Sequence, residues 1–211
     1  MDYRQRITEE AANMFRKYGI RAVTMDMLSS QLGMSKRTIY EIFRDKDELL
    51  TGVLRWMSEK QKQLIKKVFA ESENIIAGIF RFFELMDEHY SKMSPAFKLD
   101  IEKYHYDIIR KLRDTDELPY NSDYAEMIKR GIEEGVFRSD INVAITNKCV
   151  YEVIRMSVTK DNNEGEEKDR KDVFRHFYIN YLRGISTPKG LIFIDFYEKK
   201  QRIKNQNDSI K

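Results

Sequence analysis

Apolar residues recur at steps of three and four along most of the chain, which is the spacing that gathers side chains on one face of an α-helix. Over residues 4–18 this pattern predicts a first helix, and Gly19 ends it, as glycine commonly does after a helix C-terminus. Two short helices are predicted next, over 25–32 and 36–43. The N-terminal segment therefore predicts a unit of three helices.

The rest of the chain keeps the helical spacing. A long fourth helix starts after Asp45, which precedes Glu48 by three residues as in a capping box. Further helices are predicted over 75–86, 95–112, 119–135, 141–159 and 173–185. The charged stretch 161–171 favours a loop, and 188–197 favours a helix over a strand. These patterns predict an all-α protein.

Composition agrees with a helical globular protein. Hydrophobic residues make up 41% and charged residues 35%, with only three prolines and nine glycines. No apolar run approaches the roughly 18 residues of a membrane span, so we expect a cytoplasmic protein without a membrane segment. Cys149 is the only cysteine, which excludes an intrachain disulfide and favours a small buried hydrophobe over a redox sensor. The net charge of +3 requires any nucleic-acid contact to come from a local patch.

The segment 24–50 carries the most specific signal. It predicts a helix, a tight turn at Gly33-Met34-Ser35 and a short second helix, which is the spacing of a helix-turn-helix. A recognition helix must be apolar inside and present donors outside, because bases and phosphates are contacted by polar side chains. Here the predicted outer donors are Lys36, Arg37, Thr38 and Tyr40, and the predicted inner residues are Ile39, Ile42 and Phe43.

This segment resembles the N-terminal domain of the TetR family, whose pattern is Ser-Lys-x-Thr-(Leu/Ile)-Tyr-x-x-Phe-x-x-Lys-x-x-Leu. The positions that match it are Ser35, Lys36, Thr38, Ile39, Tyr40, Phe43, Lys46 and Leu49, preceded by Phe15, Gly19, Thr24, Leu28 and Gly33. The resemblance at motif level covers about the first fifty residues. It implies a dimeric helix-turn-helix regulator, more often a repressor, released from a palindromic operator by a small-molecule effector.

The resemblance also implies which residues contact DNA. They are Thr24, Ser35, Lys36, Arg37, Thr38, Tyr40 and Lys46. We expect Arg37 to read a base, since a guanidinium suits guanine. We expect Lys46 to bind a phosphate together with the N-terminal amides of the fourth helix. Glu41 and Ile42 stand where the family often has aromatic or histidine residues, which predicts a smaller base-reading set.

In functional terms we expect the chain to divide into a DNA-binding domain over 1–47, a ligand-binding and dimerisation domain over 48–200, and a disordered tail over 201–211. The family resemblance implies that the last long helices form the dimer interface, although a simple core face is the alternative. Its predicted residues are Tyr151, Ile154, Phe174, Phe177, Tyr178, Tyr181 and Leu182.

The resemblance further implies an effector pocket among the middle helices, and an aromatic and methionine-rich lining favours a hydrophobic or planar ligand. The predicted lining residues are Phe80, Phe83, Met86, Phe97, Tyr104, Met127, Tyr151 and Met156, of which most are expected to serve the core. The partners predicted from the sequence are operator DNA, an unidentified small molecule and a second copy of the chain. No cofactor or metal is predicted.

Two other classes of function compete with this interpretation. Glu102 and His105 form a Glu-x-x-His pair that supplies metal ligands in di-iron bundles, but such a site needs a second copy, and neither His89 nor His176 has Glu three residues before it. Because no nucleotide, protease or hydrolase motif occurs either, an enzyme is not predicted. The other alternative is a ligand-binding helical protein of the same fold without DNA-binding activity.

Overall fold

The computed structural model describes residues 2–115, 123–149 and 167–208, and in these ranges the protein is helical apart from one isolated β-bridge between Phe137 and Ser186. The predicted all-α class is confirmed. The helices in chain order are α1 (Tyr3–Tyr18), α2 (Met25–Leu32), α3 (Lys36–Ile42), α4 (Lys46–Glu71), α5 (Ile75–Ser91), α6 (Pro95–Tyr104), α7 (Tyr106–Asp114), α8 (Asp123–Glu133), α9 (described over 143–149), α10 (Glu167–Ile185) and α11 (Pro188–Asp208).

Side-chain oxygens define where the N-terminal helices begin. The hydroxyls of Thr24 and Ser35 accept the amide hydrogens of Met27 and Thr38, each at 3.1 Å, so the predicted caps of α2 and α3 are confirmed. Asp45 likewise accepts the Glu48 amide of α4 at 2.8 Å. In the reciprocal bond the Glu48 carboxylate accepts the amide N–H of Arg44 at 2.9 Å, one residue before the donor of a standard capping box.

The chain divides into two compact units. Unit 1 comprises Met1–Ile65 and Leu85–Pro119, and unit 2 comprises Lys66–Glu84 and Tyr120–Lys211. The buried core of unit 1 contains residues of the first four helices, α1 through α4, and one residue of α6, Phe97, which is 4% exposed. Ile7, Phe15 and Ile39 are completely or almost completely buried in this core. The helix-turn-helix thus rests on a core that includes a residue far along the sequence.

Within unit 2, polar side chains hold the turn between α4 and α5 against α8. The Arg130 guanidinium donates to the carbonyls of Phe69 and Ser72 and pairs with Glu134 at 2.6 Å. Glu134 in turn accepts the Ile75 amide at 2.7 Å, at the start of α5. These bonds satisfy backbone groups at two helix ends that the helices cannot satisfy themselves.

Three predictions about element boundaries were wrong. The helix predicted over 95–112 is two helices, because α6 ends at Tyr104 and the amide of the next residue, His105, donates back to the Asp100 carbonyl at 3.1 Å. Residues 167–171, predicted as loop, belong to α10. The last helix extends through Asp208, so the described part of the predicted disordered tail is helical.

Candidate DNA-binding site

The helix-turn-helix consists of α2, a turn at Gly33 and α3. Gly33 takes the left-handed conformation, with φ 62° and ψ 33°, which lets the chain reverse over two further residues before Ser35 caps α3. Ile39 is fully buried beneath α3, whereas Lys36, Arg37 and Tyr40 are exposed on its outer side. The structure therefore confirms the inner and outer faces predicted for this helix, except that Ile42 of the inner face and Thr38 of the outer face are both half-buried.

Two arginines of α1 hold the ends of these helices. Arg6 donates to the carbonyl of Leu32 at the end of α2 at 2.9 Å, and Arg4 donates to the carbonyl of Ile42 at the end of α3 at 3.1 Å. The Arg4 guanidinium also lies 4.5 Å from the centre of the Phe43 ring. A cation at a helix C-terminus satisfies a free carbonyl and interacts favourably with the helix dipole. Neither residue was predicted from the sequence to support the helix-turn-helix.

The cations of α3 are paired with carboxylates. Lys36 Nζ lies 2.8 Å from Asp26 of α2, and this hydrogen bond raises the pKa of Lys36. Arg37 Nε lies 2.9 Å from Glu41, one turn further along α3. The Arg37 side chain is 87% exposed. The predicted base reader, Arg37, thus lies on the surface. The carboxylates that pair with the α3 cations, Asp26 and Glu41, were not predicted from the sequence as part of the site.

The other predicted DNA contacts are already engaged within the chain. The Thr24 and Ser35 hydroxyls cap helices, and Ser35 Oγ lies 2.8 Å from the Thr38 hydroxyl. Lys46 is half-buried, donates weakly to the Arg21 carbonyl at 3.4 Å, and has a pKa lowered mainly by burial. The Glu48 amide, which was expected to help Lys46 bind phosphate, is occupied by Asp45.

Comparison with known proteins agrees with this geometry. Residues 7–53 match the family model described as bacterial regulatory proteins, tetR family. This N-terminal segment belongs to the TetR family. A curated relative, the HTH-type transcriptional repressor KstR2 of Mycobacterium tuberculosis, is 24% identical over 167 residues, which cover 74% of this chain and 79% of the relative. These findings identify the chain as a DNA-binding transcriptional regulator, and they give no support to an enzyme.

Solved structures give the same fold for most of the chain. A transcriptional regulator from Cytophaga hutchinsonii aligns with a TM-score of 0.69 at 20% identity, covering 87% of this chain and 98% of that one. The TetR-family repressor FadR of Thermus thermophilus, solved in complex with lauroyl-CoA, aligns with a TM-score of 0.57 at 18% identity, covering 82% and 90%. The TetR fold therefore extends well beyond the N-terminal motif.

The residues predicted to line a TetR-type effector pocket are divided between the two units. Phe97 lies in the core of unit 1, and Tyr104 is 47% exposed with the Arg21 guanidinium 4.2 Å from its ring centre. Met86, half-buried in unit 1, accepts a hydrogen bond from Gln61 at 3.5 Å. These three residues belong to unit 1, and the other described pocket candidates belong to unit 2.

In unit 2 the pocket candidates Phe80 and Met127 are buried, and Phe83 is half-buried. Phe83 makes an edge contact with Tyr178, with ring centres 4.7 Å apart, and Phe80 lies 5.6 Å from Tyr197. Tyr151 and Met156 lie outside the described residues.

The predicted dimer residues fall into three groups. Phe177 is 49% exposed on α10, whereas Tyr178 and Leu182 are buried within unit 2 and belong to the subunit's own core. Tyr181 is half-buried, and burial raises its pKa to about 12. Tyr151, Ile154 and the side chain of Phe174 lie outside the described residues. The broad stripe predicted for α10 thus combines a core face with an exposed edge.

Among the described side chains, no group of three or more His, Cys, Asp or Glu could hold a metal ion. None of the helices in the described ranges combines the length and the apolar character that a membrane crossing requires.

Proposed function

We propose that the chain is a repressor that binds a palindromic operator as a homodimer, inserting α3 into the major groove, and leaves the DNA when a small molecule binds. The observation that carries this proposal is the exposed outer face of α3, with Arg37 and Tyr40, set over the fully buried Ile39. The naming of the curated relative as a repressor supports repression over activation. Since its target is chromosomal DNA, we expect it to act in the cytoplasm.

The proposed dimer surface includes α11. Ile194 and Tyr197 of this helix are buried, while Ile192, Phe196 and Ile203 are 69%, 58% and 51% exposed. The spacing of four and seven residues puts the exposed three on one face of the helix, opposite the buried face. A helix that is apolar on two opposite sides calls for a partner on each. A second copy meets this need, because a two-fold axis sets two recognition helices on successive half-sites.

The proposed effector site lies in unit 2, near the aromatic side chains of Phe83, Tyr178 and Tyr181. Their rings form a chain, with centres 4.7 Å apart between Phe83 and Tyr178 and 5.9 Å apart between Tyr178 and Tyr181. The Tyr181 hydroxyl is buried and has no hydrogen-bond partner within the described part of the chain. A buried hydroxyl without a partner is costly, so a ligand that bonds to it would gain affinity. We therefore propose an apolar or planar effector with a polar group.

Release from DNA follows from linkage. An effector lowers operator affinity only by the ratio of its affinities for the DNA-competent form and the incompetent form. By the same relation, operator DNA must lower the affinity of the protein for the effector by an equal factor.

Selection from random DNA tests the core of the proposal. Purified protein is incubated with a pool of randomised duplexes at near-physiological salt, and bound sequences are amplified and read. A recovered palindrome with half-sites about one helical turn apart would support a dimeric operator-binding protein. If folded protein enriches no sequence, the chain is instead a ligand-binding member of the fold without DNA-binding activity.

Tyr181→Phe tests the effector site. Lauroyl-CoA, the ligand of the Thermus thermophilus relative, and flat aromatic acids serve as first probes in a thermal-shift screen with wild-type protein and the variant. A probe that stabilises the wild type should raise the Tm of Tyr181→Phe less, because the variant cannot form the hydrogen bond. Equal shifts in both proteins would remove Tyr181 from the site, and a probe that stabilises without weakening operator binding would not be an effector.

A further inference from the structure

Glu41 is the acidic residue placed closest to the expected base reader. It lies one turn after Arg37 on α3, with its Oε1 2.9 Å from Arg37 Nε, and its side chain is 59% exposed. An exposed pair of this kind contributes little to folding stability, because water and salt screen it and both side chains lose freedom. The stability of the free protein therefore gives no reason for Glu41 to be acidic.

The geometry of the pair leaves the ends of both groups available. A guanidinium carries five N–H donors, and the described contacts of Arg37 engage only Nε. The two terminal nitrogens can still bind the O6 and N7 acceptors of guanine together. The second carboxylate oxygen of Glu41 can accept the amino group of a cytosine. The pair is thus suited to base edges in the major groove.

The same pair is poorly suited to the phosphate backbone. A carboxylate beside Arg37 offsets much of its attraction for a phosphate and itself repels one. The surroundings do not compensate, because the first fifty residues contain nine Lys and Arg against eight Asp and Glu, and Lys36 is paired with Asp26 in the same way. Non-specific binding depends on phosphate contacts and is therefore disfavoured.

We propose that Glu41 determines operator specificity, by holding Arg37 toward the base edges and by making its contact with phosphate unfavourable. This inference rests on the proposed function, in which α3 enters the major groove. Its chemistry assigns a guanine to Arg37 and favours a neighbouring cytosine for Glu41. Glu41 acts here as a positioning and discriminating residue, although it occupies one of the variable positions of the family motif.

Glu41→Gln tests the inference, because glutamine keeps the size of the side chain and removes its charge. Affinities for the selected palindrome and for a scrambled duplex of equal length are measured between 50 and 200 mM salt. We expect tighter binding to the scrambled duplex, a fall of about tenfold in the ratio of the two affinities, and a salt slope steeper by about one to two in a dimer. Unchanged circular dichroism and Tm would show that folding is intact.

Glu88→Gln is the matched control, since Glu88 forms an exposed ion pair with Lys92 at the same spacing of four residues and at 2.8 Å. It makes the same charge change in unit 1 outside the helix-turn-helix. Equal effects of the two variants, or equal gains on both duplexes for Glu41→Gln, would reduce the role of Glu41 to net charge and overturn the inference. An unchanged affinity ratio would overturn it too. If the wild type enriches no sequence, the proposed function itself fails. If the wild type enriches a palindrome but Glu41→Gln leaves the affinity ratio unchanged, only the inference about Glu41 fails.

Discussion

The Asp100 carboxylate of α6 accepts the backbone N–H of Arg21 at 2.8 Å, across 79 positions of sequence. Asp100 is 6% exposed, and the Ser94 amide donates to the Arg16 carbonyl at 2.9 Å nearby. The Arg21 guanidinium lies over the ring of Tyr104. These contacts fasten the turn between α1 and α2 onto α6. The orientation of the helix-turn-helix within unit 1 therefore depends on a buried charged residue outside the family motif.

Removing this acceptor should destabilise the protein. Asp100→Ala leaves the Arg21 amide without its partner, and we expect a loss of about 1 to 3 kcal/mol in the free energy of unfolding, measured by urea denaturation. Asp100→Asn keeps an acceptor oxygen and should lose less. If both variants lose the same amount, the charge of Asp100, rather than this hydrogen bond, is what unit 1 requires.

Gly19 and Gly33 should differ in their tolerance of alanine. Both have positive φ, 90° and 62°, but a Cβ at Gly19 would lie 2.9 Å from the Ala96 Cβ, whereas none of the described atoms lies within 4 Å of one at Gly33. Gly33→Ala should cost about 1 to 2 kcal/mol, from the left-handed backbone alone. Gly19→Ala adds a collision with α6 to a backbone conformation reserved almost entirely for glycine, and should cost more. If thermal denaturation shows equal losses of stability for the two variants, α6 moves away from the new Cβ at residue 19 without a measurable energetic penalty.

Arg37 and Lys46 should affect DNA binding differently. Arg37→Ala should cost about 1 to 3 kcal/mol in operator binding and relax the preference at one position of each half-site. Lys46→Ala should weaken all duplexes alike and lower the salt slope by about one for each phosphate contact removed. Competition binding with single-base operator variants distinguishes them. If Arg37→Ala weakens binding to every operator variant equally, Arg37 contacts phosphate and not a base. If Lys46→Ala leaves the salt slope unchanged, Lys46 does not contact DNA and keeps its hydrogen bond to the Arg21 carbonyl.

The α11 surface should control the oligomeric state. In Phe196→Lys a charge is forced into the proposed interface, and we expect the dimer dissociation constant to rise at least about tenfold, by sedimentation velocity, with helicity unchanged. Leu99→Lys is the control, because Leu99 is also an exposed large apolar residue, at 53%, but lies on α6. A dimer that survives Phe196→Lys and dissociates with Leu99→Lys would put the interface elsewhere.

His105 should make unit 1 less stable in acid. Burial lowers its pKa, and the net effect of Asp47, Asp100, Lys46 and Arg21 around it does not restore it. Because the pKa is lower in the folded protein than the value of about 6.5 in the unfolded chain, the unfolded chain binds the proton more tightly. Stability is then complete above about pH 7 and falls as the pH drops through 6.5 toward the folded pKa.

Urea denaturation between pH 7.5 and 5.5 measures this dependence. His105→Gln should reduce the loss of stability on acidification. Some loss should persist in His105→Gln, because burial lowers the pKa of His89 as well. Identical pH profiles for wild type and His105→Gln would show that His105 is protonated equally easily in both states.

Local sequence predicted what local interactions determine. Hydroxyl caps at Thr24 and Ser35 and a positive φ at Gly33 involve groups within three residues of each other, and the helix-turn-helix followed from them. The contacts of Asp100 could not be predicted in this way, since periodicity carries no information about a partner 79 residues away. Arg4 and Arg6 were missed because arginine on the polar side of a helix looks the same whether it is solvated or caps a neighbour.

The α10 stripe shows the limit of periodicity for binding sites. Phe177 and Tyr178 are adjacent and both aromatic, yet the first is 49% exposed and the second 7%. Apolar residues at two adjacent positions in every turn indicate a wide face, but only packing decides which edge stays open. The break at His105 has a similar cause, because the apolar spacing continues through it while a hydrogen bond to Asp100 ends the helix.

The presence of Phe97 and Asp100 in unit 1 bears on attempts to transplant the DNA-binding half of this protein onto other sensors. The matched family segment stops at residue 53, but Phe97 fills the core beneath it and Asp100 holds one of its turns. A fragment that ends shortly after the start of α4 would lack both Phe97 and Asp100, and the apolar residues that they cover would be exposed. A transferable DNA-binding domain must therefore include residues 85–119 as well as the N-terminal helices. Only Lys66–Glu84 and Tyr120–Lys211 can then be replaced by the sensor domain of another protein.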